Sequence, residues 1–101
     1  MGLSPFTKKT YEKNAEIYKI LANPKRLEIL NILKNHELSV EELAKEVKIR
    51  MANLSQHLSV LRLVKLVKIR RDGQKIFYSI VDPRIVEPCK ILHDLAKRHK
   101  I

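Results

Sequence analysis

The chain has few of the residues that build disulfide scaffolds, structural zinc sites and nucleotide-binding loops. It contains one cysteine, two glycines and no tryptophan in 101 residues. One cysteine excludes an internal disulfide framework and a Cys-cluster zinc site within a single chain. Two glycines leave no glycine-rich phosphate loop, and neither paired carboxylates in an apolar setting nor a hydrolase-like Ser/His/Asp arrangement is present. We therefore predict that the protein is not an enzyme.

Long apolar segments are also missing. No run of about 18 apolar residues occurs, and the first stretch, MGLSPFTKKTYEKN, is polar where a signal peptide would be apolar. We therefore expect a cytoplasmic protein with no membrane partner. A hydrophobic content of 45% is enough for one small core, so residues 1–101 are predicted to form a single domain. Because so small a core is marginal alone, an exposed apolar helix would favour a partner subunit.

The formal net charge is +10, and it is unevenly distributed. Residues 1–50 carry ten Lys/Arg against seven Asp/Glu, whereas residues 51–101 carry eleven against four. A basic half indicates a polyanionic partner. Nucleic acid is favoured over membrane, because no basic amphipathic helix is found outside the segments whose apolar residues are assigned to the core. From charge alone, a lysine-rich protein without such a partner remains an equal alternative.

Apolar periodicity and capping signals predict five short helices. Asn23 suits the N-cap of the second helix, and Pro24 suits its first position. Ser39 and Glu42 have the spacing of a capping box, which opens the third helix. Pro88 lies too deep for a helix that starts at residue 83, so the last helix should start or kink near residue 87. The first four predicted helices are 7–21, 24–35, a short one through residue 47, and about 51–64.

The fourth predicted helix has an unusual outer face. In projection Leu54, Leu58 and Leu61 fall in one narrow sector, which predicts the core side. Short polar side chains on the other side allow close approach to base edges, and Asn and Gln offer the donor–acceptor pair that suits adenine. An ordinary solvated helix face is the alternative. The outward residues are Ala52, Asn53, Gln56, Ser59 and Val60, with Ser55 and His57 on the two shoulders.

A basic β-hairpin follows this helix. Residues 66–70 alternate apolar and basic side chains, residues 76–80 supply the returning strand, and Asp72-Gly73 predicts a type I′ turn. Arg70, Arg71, Gln74 and Lys75 lie around the predicted tip. Edge strands also carry basic residues as protection against aggregation, which accounts for Lys68 better than for the tip.

The stretches LANPKRLEILNIL, ELSVEELA, NLSQHLSVLR and RRDGQKIFYSI resemble the ArsR/SmtB family of winged-helix repressors. The resemblance covers roughly residues 17–82. It implies a mainly α fold with a two-stranded hairpin, that is, a winged helix-turn-helix of five helices. It further implies a homodimer joined through the first and last helices, which binds a palindromic operator in double-stranded DNA and leaves it when an effector binds.

By this resemblance the fourth helix is the recognition helix and the hairpin is the wing. A protein–protein or RNA-binding winged helix is the alternative function, and an acidic outer face on the fourth helix, which the residues do not show, would favour it. The predicted DNA-binding residues are Ser39, Arg50, Asn53, Ser55, Gln56, His57, Ser59, Arg70, Arg71, Gln74 and Lys75.

The chain departs from the family pattern in the turns around the recognition helix. Lys48 and Lys65 occupy positions that usually hold glycine, and a left-handed lysine costs about 1 kcal/mol relative to glycine. Arg50 occupies an N-cap position usually filled by serine. Because arginine cannot cap in the same way, we expect the start of that helix to be frayed or shifted.

The family's metal sites are absent by the same comparison. Ser39 and Glu41 stand where the arsenic- and cadmium-type site has two cysteines. The zinc- and nickel-type site would start at Asp82, but its downstream positions fall on Leu95 and Arg98. We therefore expect no cofactor, and the sequence does not identify a small-molecule or metal effector.

Cys89 and His93 lie four residues apart on one face of the last predicted helix. Two such pairs in a dimer would form an intersubunit Cys2His2 site for zinc or another metal. Cys89 as a redox sensor is a second interpretation. The third is structural, with Cys89 a small apolar interface residue and His93 a surface residue.

Overall fold

The computed structural model describes residues 2–99. Five α-helices, a short 3-10 helix and a three-stranded antiparallel sheet make up this part of the chain. The helices are α1 (Lys8–Leu21), α2 (Pro24–Leu33), α3 (Val40–Val47), α4 (Met51–Leu63) and α5 (Glu87–His99), with the 3-10 helix at Pro83–Val86. The strands are β1 (Leu38–Ser39), β2 (Val67–Asp72) and β3 (Lys75–Ile80).

Local capping sets where these helices begin. Asn23 accepts a hydrogen bond from the backbone N–H of Arg26 at the start of α2, and the Ser39–Glu42 capping box opens α3, both as predicted. The last helix starts at Glu87 after the 3-10 helix, which confirms the expectation from Pro88. Arg50 makes no side-chain cap, as expected, but α4 still begins at Met51, so the start of this helix is not shifted.

The predicted two-stranded hairpin is in fact part of a three-stranded sheet. Strand β1 pairs with β3 through Leu38 opposite Tyr78 and Ser39 opposite Phe77, so the strand order is β1-β3-β2. A strand of two residues is too short to show the alternation that reveals a strand in sequence. The extra strand fixes the hairpin to the segment that leads into α3.

The hairpin turn also differs from the prediction. Asp72 pairs with Lys75, so the two central turn residues are Gly73 and Gln74. Within residues 2–99, Gly73 has positive φ (62°) and Gln74 does not. A single left-handed glycine at the first central position is the type II′ signature, whereas type I′ requires positive φ at both positions.

The core is formed by α2, α3, α4 and the sheet. Leu54, Leu58 and Leu61 of α4 are buried as predicted, and they pack with apolar residues of the neighbouring elements. The remaining members of this core are Ile29, Leu30, Leu33, Leu43, Val47, Leu66, Val67, Ile80 and Val86. The two terminal helices are different, because neither α1 nor α5 has a buried residue.

Lys48 and Lys65 adopt the left-handed conformation that the family comparison suggested, with φ of 57° and 62°. We expect Lys65→Gly to raise the free energy of unfolding by up to about 1 kcal/mol, because glycine adopts this conformation without the Cβ penalty. Urea denaturation measures the change. Lys45→Gly, inside α3 at ordinary helical geometry, is the matched control and should lower stability by about 0.5–1 kcal/mol. Destabilisation by both substitutions would contradict the prediction.

None of the helices within residues 2–99 has both the length and the apolar character needed to cross a membrane.

Candidate nucleic-acid interface

Helices α3 and α4, joined by residues 48–50, form a helix-turn-helix. The core leucines of α4 fix its rotation, so that Asn53, Gln56 and Ser59 on the opposite side are exposed. Ser55 and Arg50 are also exposed. Lys25 of α2 stabilises the turn end of α3, since its Nζ donates a hydrogen bond to the Val47 carbonyl at 2.6 Å. The predicted polar face is therefore presented to solvent by a rigidly packed helix.

His57 is the exception on this helix, because it is half-buried and has a partner. Arg26 Nε donates a hydrogen bond to His57 Nδ1 at 3.1 Å, although the two residues are 31 positions apart. Burial, reinforced by the positive charge of Arg26, lowers the pKa of His57 below its usual value of about 6.5. The imidazole is therefore neutral at physiological pH. Sequence reasoning missed Arg26, for which no local pattern offers a signal.

The wing carries fewer free cations than the sequence suggests. Arg70 makes a bidentate ion pair with Glu37 (2.7 Å from Nη2 to Oε1), and its guanidinium lies 4.8 Å from the centre of the Phe77 ring. This pairing lowers the pKa of Glu37 and raises that of Arg70. Arg70 is thus paired with Glu37 in the folded chain, but because this ion pair is exposed to solvent, the contact of Arg70 with phosphate stays a prediction. The other wing residues, Arg71, Gln74 and Lys75, are exposed.

Ser39 does not reach the same surface. Only 4% of it is exposed, and its hydroxyl accepts the backbone N–H of Glu42 at 3.2 Å. The Glu42 carboxylate accepts the Ser39 backbone N–H in return at 3.0 Å, and this bond is the main cause that lowers the pKa of Glu42. Ser39 is therefore removed from the predicted DNA contacts, because its capping and strand pairing bury it.

A second notable surface is apolar and is formed by the terminal helices. Tyr18 of α1 and Leu92 of α5 are each 65% exposed, and Ile91 is 56% exposed. A cleft of about 330 Å³ between these helices is lined mainly by apolar side chains. Cys89 is half-buried in this cleft, whereas His93 is exposed. No group of three or more His, Cys, Asp or Glu residues within the described chain could hold a metal ion.

Fold and surface together define a winged helix-turn-helix with a polar outer face on α4. The family described as "Bacterial regulatory protein, arsR family" matches residues 23–68. The regulator Rv0081 of Mycobacterium tuberculosis, itself described as uncharacterized, is 45% identical over 89 residues, which cover 87% of this chain and 78% of that protein. The chain belongs to the ArsR/SmtB family, whose members are transcriptional regulators and not enzymes.

Relatives in this family include both activators and repressors of transcription. The transcriptional activator HlyU of Vibrio cholerae is 35% identical over 96 residues, covering 91% of this chain and 89% of HlyU. The transcriptional repressor PagR of Bacillus anthracis is 36% identical over 85 residues, covering 83% and 85% of the two chains. Family membership therefore defines a transcriptional regulator without deciding activation or repression.

Solved structures agree with the fold. The crystal structure of Rv0081 matches with a TM-score of 0.77 at 39% identity, covering 91% of this chain and 93% of that one. A homodimeric winged helix-turn-helix DNA-binding domain from Mycobacterium bovis matches with a TM-score of 0.76 at 28% identity, covering 98% and 92%. These neighbours confirm the winged-helix fold class.

Proposed function

We propose that the protein is a homodimeric repressor that binds a palindromic operator. The observation that carries this proposal is the exposed face of small polar side chains on α4, held beside the free cations of the wing. A helix with such a face fits the major groove, and nearby cations suit the phosphate backbone. Occupation of a promoter by the dimer would block transcription.

The terminal helices support the dimer. Neither helix buries a residue within the chain, and both expose large apolar side chains. A second copy would cover this surface, and the relative from M. bovis is a homodimer. Two-fold symmetry would then place two α4 helices about 34–36 Å apart, which is one turn of B-DNA.

Within each half-site, we assign base reading to α4. Gln56 and Asn53 each offer a donor for N7 and an acceptor for the N6 amino group of adenine in the major groove, while Ser55 and Ser59 suit bases or phosphate. Arg71 and Lys75 are assigned to phosphate, with Gln74 and Arg50 beside them. Arg70 supports the wing through Glu37 rather than contacting DNA as a free cation.

Operator selection tests the proposal. Purified protein is used to enrich sequences from random DNA duplexes and, in parallel, from random RNA, and we expect a DNA palindrome with half-sites centred one helical turn apart. Enrichment of RNA only, or of no nucleic acid, would favour the alternative of an RNA- or protein-binding module. Transcription in vitro from a promoter containing the selected operator then determines the sign of regulation, with repression expected.

We further propose that an effector, where one acts, releases the protein from its operator. We expect DNA binding to need no metal, and an effector would act at an intersubunit site containing Cys89 and His93. Operator affinity is measured with zinc, arsenite, peroxide and polysulfide for wild type and Cys89→Ser. Full affinity of the wild type under every challenge would exclude a thiol-based or metal effector at this site.

Arg71→Ala tests the wing. We expect weaker binding to every sequence and a smaller dependence of affinity on salt, since each lost phosphate contact removes about 0.9 from the logarithmic slope. Two copies in a dimer give a change of about 1.8. Affinities at several salt concentrations measure it.

The double variant Glu37→Gln/Arg70→Gln is the matched control. It removes an ion pair without changing the net charge, so its salt slope should stay close to that of the wild type. An Arg71→Ala slope equal to that of the wild type would exclude this residue from the phosphate contacts.

A further inference from the structure

A shallow cleft lies where the start of α2 meets the flank of α4. Its volume is about 500 Å³, and its lining residues are Arg26, Ser55, Gln56, His57, Ser59 and Val60. Ser55 and Ser59 are four residues apart, so their hydroxyls lie on the same side of the helix. Five of the six lining side chains can donate hydrogen bonds, and within residues 2–99 no carboxylate lines the cleft.

Arg26 is held firmly at one side of this cleft. Its Nη1 donates to the Ile20 carbonyl at 3.2 Å, and its Nε donates to His57 at 3.1 Å. Its backbone N–H is fixed by the side chain of Asn23. A guanidinium has five N–H groups, so these two side-chain bonds leave three for a ligand. The end of α1, the start of α2 and the middle of α4 are thus joined by one side chain.

The same contact sets the tautomer of His57. Because Nδ1 accepts the Arg26 hydrogen bond, the proton of the neutral ring is on Nε2. His57 is therefore a neutral donor rather than a second cation. Arg26 then supplies the positive charge of the cleft, and the serine hydroxyls and His57 Nε2–H supply neutral donors.

We propose that this cleft is a subsite for one DNA-backbone phosphate, in which Arg26 binds the phosphate and positions His57. The inference rests on the proposed DNA-binding function. An α-helix is about 10–12 Å wide with its side chains and the major groove is about 12 Å wide, so the flanks of an inserted helix approach the backbone. Several donors around one fixed guanidinium suit a phosphate, which only accepts hydrogen bonds.

The test uses the full-length protein and its selected operator, with single phosphates replaced by neutral methylphosphonates. Arg26→Gln should lower affinity about tenfold for cognate and scrambled DNA alike, since a charged phosphate contact is lost. One methylphosphonate position in each half-site should weaken the wild type but have little further effect on Arg26→Gln. Lys34→Gln is the control, because it removes the same charge at the other end of α2 and should stay within twofold of the wild type.

A second measurement checks that Arg26 positions His57. Nitrogen-15 spectra of His57 should show one Nε2–H tautomer in the wild type and a tautomer mixture in Arg26→Gln. If Arg26→Gln unfolds, Ser59→Ala must show the same coupling to that phosphate. The subsite would be overturned if the effects of Arg26→Gln and of the methylphosphonate were additive at every phosphate position. It would also be overturned if Arg26→Gln left affinity unchanged or altered the base preference. A wild type that binds no DNA would reject the proposed function itself, and the subsite with it.

Discussion

Leu92→Asp is expected to convert the dimer into a monomer and to lower operator affinity by about 100-fold or more. Leu92 is 65% exposed on α5 and borders the apolar cleft against α1. An aspartate in a covered apolar interface would be buried without a partner, which is strongly unfavourable. The loss of DNA binding follows because the second half-site would no longer be held at high effective concentration.

Sedimentation and operator titration measure the two effects of Leu92→Asp. Lys97→Gln, on the same helix, lowers the net charge by the same amount and should remain dimeric with nearly normal affinity. Thermal unfolding followed by circular dichroism verifies that both variants are folded. A folded, dimeric Leu92→Asp protein with wild-type affinity would show that α5 does not form the interface.

Gln56→Ala is expected to reduce affinity for the cognate operator by about 1–3 kcal/mol, which is roughly 5- to 150-fold. Affinity for scrambled DNA should change little, because Gln56 is assigned to bases and not to phosphate. Gln56 is exposed and opposite the buried leucines of α4, so its truncation should leave the core intact.

Competition between the selected operator and scrambled duplexes measures this loss of preference. Arg71→Ala is the informative comparison, because it should weaken both DNAs in parallel and preserve their ratio. If Gln56→Ala instead weakens both DNAs equally, Gln56 contacts the backbone and bases are read by other residues of α4. The pair of variants thus separates sequence reading from electrostatic affinity.

Local signals in the sequence were enough to predict the helices and the buried side of α4. Caps such as Asn23 and Ser39 act on backbone groups two or three residues away, so neighbouring residues encode them. The rotation of α4 follows from the spacing of Leu54, Leu58 and Leu61 along one helix. The short strand β1 escaped prediction because its formation depends on β3, about forty residues further along the chain.

The composition of the candidate site was less predictable. Sequence alone treated Ser39, His57 and Arg70 as available for DNA. In the folded chain Ser39 is buried by strand pairing, while His57 and Arg70 are joined to partners 31 and 33 residues away. Such partners are brought close by packing, which no local periodicity reports. The remaining exposed residues stay predictions for DNA contact.

The sequence by itself determined the order of helices and the polar outer face of α4, because caps and apolar spacing act over a few residues, and the resemblance of four of its stretches indicated the family. Only the tertiary structure decided which polar and charged side chains are free. It paired Arg70 with Glu37 and placed Arg26 against His57. Charge and hydrogen-bonding capacity depend on what the fold brings within about 3 Å, and that distance is set by packing between elements.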